Sequence, residues 1–246
     1  MWHEWRNLIR AGLAAAVLGS LAGGGAGCQQ DPPPKPYGIE RQMAYPGMRA
    51  KVWAVAPAID LSSEPSVDPL LQADDLYQQL QEVYGLTVIP VNRVAQVYSG
   101  LGIAKVQTPA QAALVCDLLG ADALIVPTIT AYDPYDPPKV GISLQVFHKP
   151  PGYSRPDNMN PRDLARMTAP LPYASLPAPG SIEQAVGMFD AANGSVRNAV
   201  HRFAVGRQDP NGPLSERTYY LEMDQYCQFA YYELIGQLLS QQNGQM

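Results

Sequence analysis

The sequence predicts an α/β (α+β) fold: a mixed sheet of about five strands flanked by helices, with a Tyr-rich helix at the C-terminus. Three observations carry that expectation. Short apolar, β-branched runs alternate with segments whose apolar residues recur every three or four positions, the mark of strands interleaved with amphipathic helices. Two of the later runs follow each other across a proline-rich turn, which makes part of the sheet antiparallel. The 246 residues, 46% hydrophobic and 16% charged, also suffice for one sizeable core.

The elements follow in order. Lys51 to Ala58 (KVWAVAPA) is almost wholly apolar, as in a strand buried on both faces, and Pro57 marks its end. Leu76, Leu80, Val83 and Tyr84 then recur at helical spacing, with Asp74 and Asp75 expected in the favourable first turn and Gly85 as the stop. Leu86 to Val91 (LTVIPV) is the next strand. Asn92 is expected to cap a helix whose buried stripe is Val94, Val97, Tyr98 and Leu101. A third helix has Thr108 as cap, Pro109 at its first position, Ala113, Cys116 and Leu119 on one face, and Gly120 as terminator.

Ala123 to Thr130 (ALIVPTIT) and Val140 to Phe147 (VGISLQVF) are β-rich, and the connecting YDPYDPP phrase makes them antiparallel neighbours. His148 to Gly180 is proline-rich and aperiodic, apart from a short helical turn at Arg162 to Met167, and is expected as an excursion from the sheet. Ala185 to Ala191 (AVGMFDA) resumes a strand, Asn193-Gly194 turns, and Ser195 is expected to cap a helix carrying Val196, Val200, Phe203 and Ala204. The last helix is the clearest. Its stripe runs through Tyr220, Met223, Tyr226, Cys227, Ala230, Tyr231, Leu234, Ile235 and Leu238.

The amino terminus has a different character. Arg6 and Arg10 form a basic region, and Ala11 to Gly27 carries no charge, the pattern of a secretory leader that is too short and glycine-rich to persist as a span. Gly25, Ala26 and Gly27 before Cys28 resemble the bacterial lipobox, although the leucine usual three positions before the cysteine is here Gly25. That resemblance implies cleavage before Cys28 and lipid on its sulfur. It also implies an outer-membrane, periplasm-facing address in a host with two membranes, because Gln29 stands where an inner-membrane protein has aspartate. Residues 28–48 include Asp31-Pro32-Pro33-Pro34-Lys35-Pro36 and form a Pro-rich tether. The expected organisation is a signal peptide at 1–27, the tether at 28–48, and a single α/β domain at 49–246 with its excursion at 148–180.

KVWAVAPA at 51–58, LTVIPV before Asn92 and Arg93, LLGADALIVPTIT at 118–130 and MFDAANGSV at 188–196 together resemble a known envelope α/β module. It is shared by the curli-secretion lipoproteins, the lipoprotein activators of penicillin-binding proteins and the amino-terminal domain of the Tol-system propeller protein. The resemblance spans about 49–205 and implies a fold and an accessory role in envelope assembly or secretion, not a catalytic chemistry. A curli-type pore is not expected, since no long alternating apolar hairpin occurs.

Composition and motifs exclude several functions. Removing Glu4, Arg6 and Arg10 from the 22 acidic and 17 basic residues leaves 21 against 15, so nucleic acid is not an expected partner. His148 and His201 have no Cys, Asp or Glu at ligand spacing, and no metal or other cofactor is expected. There is no G-x-S-x-G and no P-loop, and Gly100-Leu101-Gly102 fits a helix end because Lys105 stands where a third glycine would be. Asp133 and Asp136 belong to a turn. Cys116 and Cys227 leave open a disulfide or two buried thiols, the thiols being the simpler reading.

The remaining expectation is a non-enzymatic, lipid-anchored envelope protein with a protein partner or self-association. Its contact surface is placed on the excursion, through Tyr153, Arg155, Arg162, Arg166 and Tyr173, with Tyr219 and Tyr232 as further contacts off the helical stripe. Two alternatives stand beside it. One is a small-molecule or glycan-handling enzyme, which needs a deep pocket at the strand ends with shifted titratable groups; the other is a subunit of a homo-oligomeric ring.

Overall fold

The computed structural model describes residues 43–46, 51–153, 181–207 and 212–243. Six strands form one mixed sheet: β1 (Lys51–Val55), β2 (Ile59–Asp60), β3 (Leu86–Ile89), β4 (Ala123–Asp133), β5 (Lys139–His148) and β6 (Ile182–Asp190). Their order is β3-β1-β4-β5-β6, with the two-residue β2 pairing alongside β4. β1 runs parallel to β3 and β4, in register Trp53 to Val88 and Trp53 to Ala123. β4, β5 and β6 are antiparallel, with Ile125 opposite Val146 and Leu144 opposite Ala185. The expected five strands and the antiparallel pair are therefore present, with β2 as an addition.

The helices are α1 (Pro69–Gln81), α2 (Val91–Leu101), α3 (Pro109–Leu119), α4 (Gly194–Ala204), α5 (Thr218–Leu221) and α6 (Met223–Asn243). None of the described helices is long and apolar enough to cross a membrane. α3 forms as the sequence dictates: Thr108 Oγ1 accepts from Gln111 N–H, Pro109 opens the first turn, and Gly120 ends the helix at φ 69°.

Four local expectations are corrected. α1 starts at Pro69, because Asp68 Oδ1 accepts from the N–H groups of Leu70 and Leu71 and caps it there. Asp74 and Asp75 consequently lie past the first turn, and Tyr84 lies beyond the helix and is exposed. α2 takes Pro90, not Asn92, at its N-cap, with no side-chain cap bond. Asn193 caps α4, its Oδ1 accepting from both the N–H and the hydroxyl of Ser195.

The fourth concerns the final helix, which is split: Glu222 leaves helical geometry between α5 and α6 at φ −114°, ψ 107°. Phe229 and Leu239, off the expected stripe, are buried. α6 packs against both the sheet and α1, so its apolar surface wraps most of the way round instead of forming one stripe.

Two apolar layers sandwich the sheet. The wider one joins Trp53, Ile125, Leu144 and Phe189 of β1, β4, β5 and β6 to α1, α4 and α6, with Phe229 edge-on to Phe189. The narrower one joins Ala54, Leu124 and Val126 to Val94 and Tyr98 of α2 and Leu114 and Cys116 of α3, and reaches β5 only at Phe147. Each large side chain fully buried here contributes roughly 1.5–3 kcal/mol.

Candidate functional site: an uncovered end of the sheet

Of the contact residues expected on the excursion, only Tyr153 is described; it is half-buried in a turn after β5, its N–H donating to Pro150 O at 3.0 Å. Arg155, Arg162, Arg166 and Tyr173 lie outside the described residues, as do Cys28 and the helical turn expected at Arg162 to Met167. Tyr219, expected as a contact, is instead buried against Phe203 with ring centroids 5.4 Å apart. Tyr232 is half-buried beneath the Arg207 guanidinium, which also stacks on Phe203 and pairs with Glu82.

What the structure brings together lies at the β6 end of the sheet. Along β6, Ala185 and Phe189 face the wide helical layer. Ile182, Val186 and Met188 face the other way and are 51%, 61% and 55% exposed, because α2 and α3 stop short of this part of the sheet. Gly141 of β5 sits beneath Met188: a Cβ there would meet the Met188 methyl at 2.9 Å and Thr130 Oγ1 at 2.6 Å. Gln184 bridges to Ser143 on the same face at 3.0 Å. The result is a shallow, mostly apolar surface.

Among the described residues β6 is also the last strand of the sheet. His148 N–H donates to Ser181 O, and Ala191 N–H to Pro138 O. In an antiparallel ladder this phase turns the odd-numbered residues of β6 toward β5 and the N–H and C=O groups of Ile182, Gln184, Val186 and Met188 toward the open side. The nine residues of β6 include no proline or lysine and no bulge, the usual devices that blunt an edge. Its acidic groups are occupied elsewhere. Glu183 turns to the helical side, where it accepts from Gln242 Nε2 and lies 3.2 Å from His148 Nε2, and Asp190 pairs with Lys139.

Two grooves offer less. One, of about 490 Å³, lies beyond the carboxyl end of β3 between α1 and α2, where Leu70, Asp74, Val91, Asn92 and Ala95 line it. This is where the connections from neighbouring strands leave on opposite faces, the usual ligand position in an α/β sheet. Its lining carries one acidic side chain, Asp74, and no basic one. The other, of about 150 Å³, lies among Asp136, Pro137, Arg197, Arg217 and Tyr220. Among the described residues no group of three metal-ligating side chains occurs.

The most perturbed acid is elsewhere again. Asp75 is buried between α1 and α6; burial pushes its carboxyl up to about 7, the Gln228 amide 3.0 Å away opposes the shift, and Asp224 and Asp74 reinforce it. Its Oδ2 has no hydrogen-bond partner among the described residues. Gln72 extends the same seam by accepting from the Tyr231 hydroxyl at 3.1 Å. Being sealed in the core, this network is structural.

The β6 surface was missed in the sequence because I-E-Q-A-V-G-M-F alternates apolar residues on both faces. Which face receives helices is decided by crossovers far away in the chain.

No family model and no curated protein matches this chain. Among solved structures it is similar to the lipoprotein GNA1162 from Neisseria meningitidis, at 14% identity over 63% of this chain and 96% of that one, with a TM-score of 0.37. It is similar to the LpoB C-terminal domain from Salmonella enterica at 12% identity over 60% and 87%, TM-score 0.39. A third is the hypothetical protein CT253 from Chlamydia trachomatis, at 17% identity over 77% and 95%, TM-score 0.36.

Proposed function

We propose that this protein is a non-enzymatic accessory module of the bacterial envelope, held to the membrane by lipid on Cys28, that docks another protein chain on the uncovered β5–β6 end of its sheet. The observation that carries the docking reading is β6 itself, an unblunted nine-residue edge whose outward backbone groups and exposed apolar side chains belong to the same residues. Edges of this kind accept a further strand: backbone bonds supply affinity and the alternating side chains supply selectivity. The anchor rests on the leader and on the small residues before Cys28. The outer membrane, facing the periplasm, is its address in a host with two membranes, given Gln29.

The test uses the full-length protein in the producing cell. A photoreactive residue at Met188 is expected to yield adducts, and one at Tyr84, which is 73% exposed on the opposite side of the sheet order, is not. Equal labelling at both positions, or none at Met188, would sink the docking reading. Intact mass and membrane partition beside Cys28→Ala test the anchor separately, with a diacylglyceryl increment expected only where the cysteine is present.

A further inference from the structure

We infer that the chain docked on β6 is a second copy of this protein, paired β6 to β6 in antiparallel fashion about a two-fold axis through Ala185. The inference rests on the docking reading above and names its partner. Three observations lead to it.

The first is the phase of the ladder. Among the described residues, and apart from Asp190 at the strand end, the backbone groups that β6 turns away from β5 belong to Ile182, Gln184, Val186 and Met188. A two-fold at Ala185 places Ile182 opposite Met188 of the second copy and Gln184 opposite Val186. All these pairs are of the hydrogen-bonded type, so the outward N–H and C=O of each of these four residues meets a partner. The second is the side-chain pattern, which is nearly symmetric about Ala185. Apolar Ile182 and Met188 stand three residues to either side, so self-pairing sets apolar groups against apolar groups on the face that helices leave bare.

The third is charge. The molecule carries a formal net charge of −5, so two copies repel wherever acidic surfaces meet. The β6 seam escapes that repulsion. Glu183 is turned into the helical layer, where it accepts from Gln242 and lies beside His148, and Asp190 is tied to Lys139 at the strand end. An unrelated partner would gain from a charge to steer it; the seam offers none and fits its own reflection instead.

The experiment measures the molar mass of the detergent-solubilised full-length lipoprotein by light scattering, with the detergent contribution subtracted, over a range of concentrations. Wild type is expected to reach twice the chain mass. Gln184→Lys and Val186→Glu, each alone, are expected to weaken the dimer by roughly tenfold, since each places a charge at two symmetric cross-strand positions. The two together are expected to restore it, because position 184 of one copy then faces position 186 of the other with opposite charge. Thermal midpoints near wild type for both single variants show that loss of the dimer is not loss of the fold. A monomer at all concentrations, or a dimer indifferent to both single changes, overturns the inference. A Met188 photo-adduct to a different protein, with a monomeric mass, also overturns it and leaves the docking reading standing.

Discussion

The two faces of this sheet are covered to different extents. On one, α1, α4 and α6 bury residues from β1 through β6, ending at Phe189 and its contact with Phe229. On the other, α2 and α3 bury β3, β1 and the first half of β4, and stop at Phe147. The first face is where stability resides; the second runs out of helix before it runs out of strand. The proposed docking surface is defined by where packing ends, since no side chain there has distinctive chemistry.

That contrast is open to attack from the covered side first. Phe229→Ala removes a ring that touches Phe189, Phe203 and Tyr226 and is expected to cost about 3–5 kcal/mol in chemical denaturation. Gly187→Ala comes next. Its Cβ would lie 2.7 Å from the Phe189 ring and 3.2 Å from Leu234, so overpacking of roughly 1–3 kcal/mol is expected, and a neutral result would show that α6 is not seated tightly on β6.

Asp75 sharpens the comparison through pH. Its folded carboxyl holds a proton to about pH 7, while the unfolded one loses it near 4, so the folded state binds more protons over that interval. The stability tied to this group is therefore full below the ordinary carboxylate range and is lost as pH rises to about 7. Asp75→Asn is expected to be close to neutral at pH 4 and stabilising at pH 8, by on the order of 1 kcal/mol. A difference between variant and wild type that does not change with pH would refute the assignment. Smallest of all is Val186→Lys on the bare face, expected within about 0.5 kcal/mol of wild type in stability while abolishing β6 photo-adducts; a large destabilisation would mean the face is covered after all.

The sequence revealed much of the fold because its local signals are strong. Thr108, Pro109 and Gly120 bracket α3 without help from the rest of the chain, and the YDPYDPP turn sets β4 against β5. Boundaries went astray at the caps: Asp68 starts α1 early enough to leave Asp74 and Asp75 past its first turn, and Asn193 displaced Ser195. The surface was far less legible. A strand with apolar residues on both faces is compatible with either face being buried, and Ile182, Val186 and Met188 are exposed only because two distant helices pack over other strands. Tyr219 shows the reverse: an aromatic off the stripe of α6 belongs to α5 and is drawn into the core by the break at Glu222.

The two described thiols lie in different layers, Cys116 under α3 and Cys227 under α6, with the sheet between them. Burial pushes Cys116 up to about 12 and Cys227 higher still. In an oxidising compartment this separation makes the order of events decisive: a bond between them could form only in a chain not yet folded, and would then bar the sheet from assembling. Once folded, both sulfurs are withdrawn from oxidants and from labelling reagents, so with Cys28→Ala a single cysteine introduced on β6 would report on that strand alone.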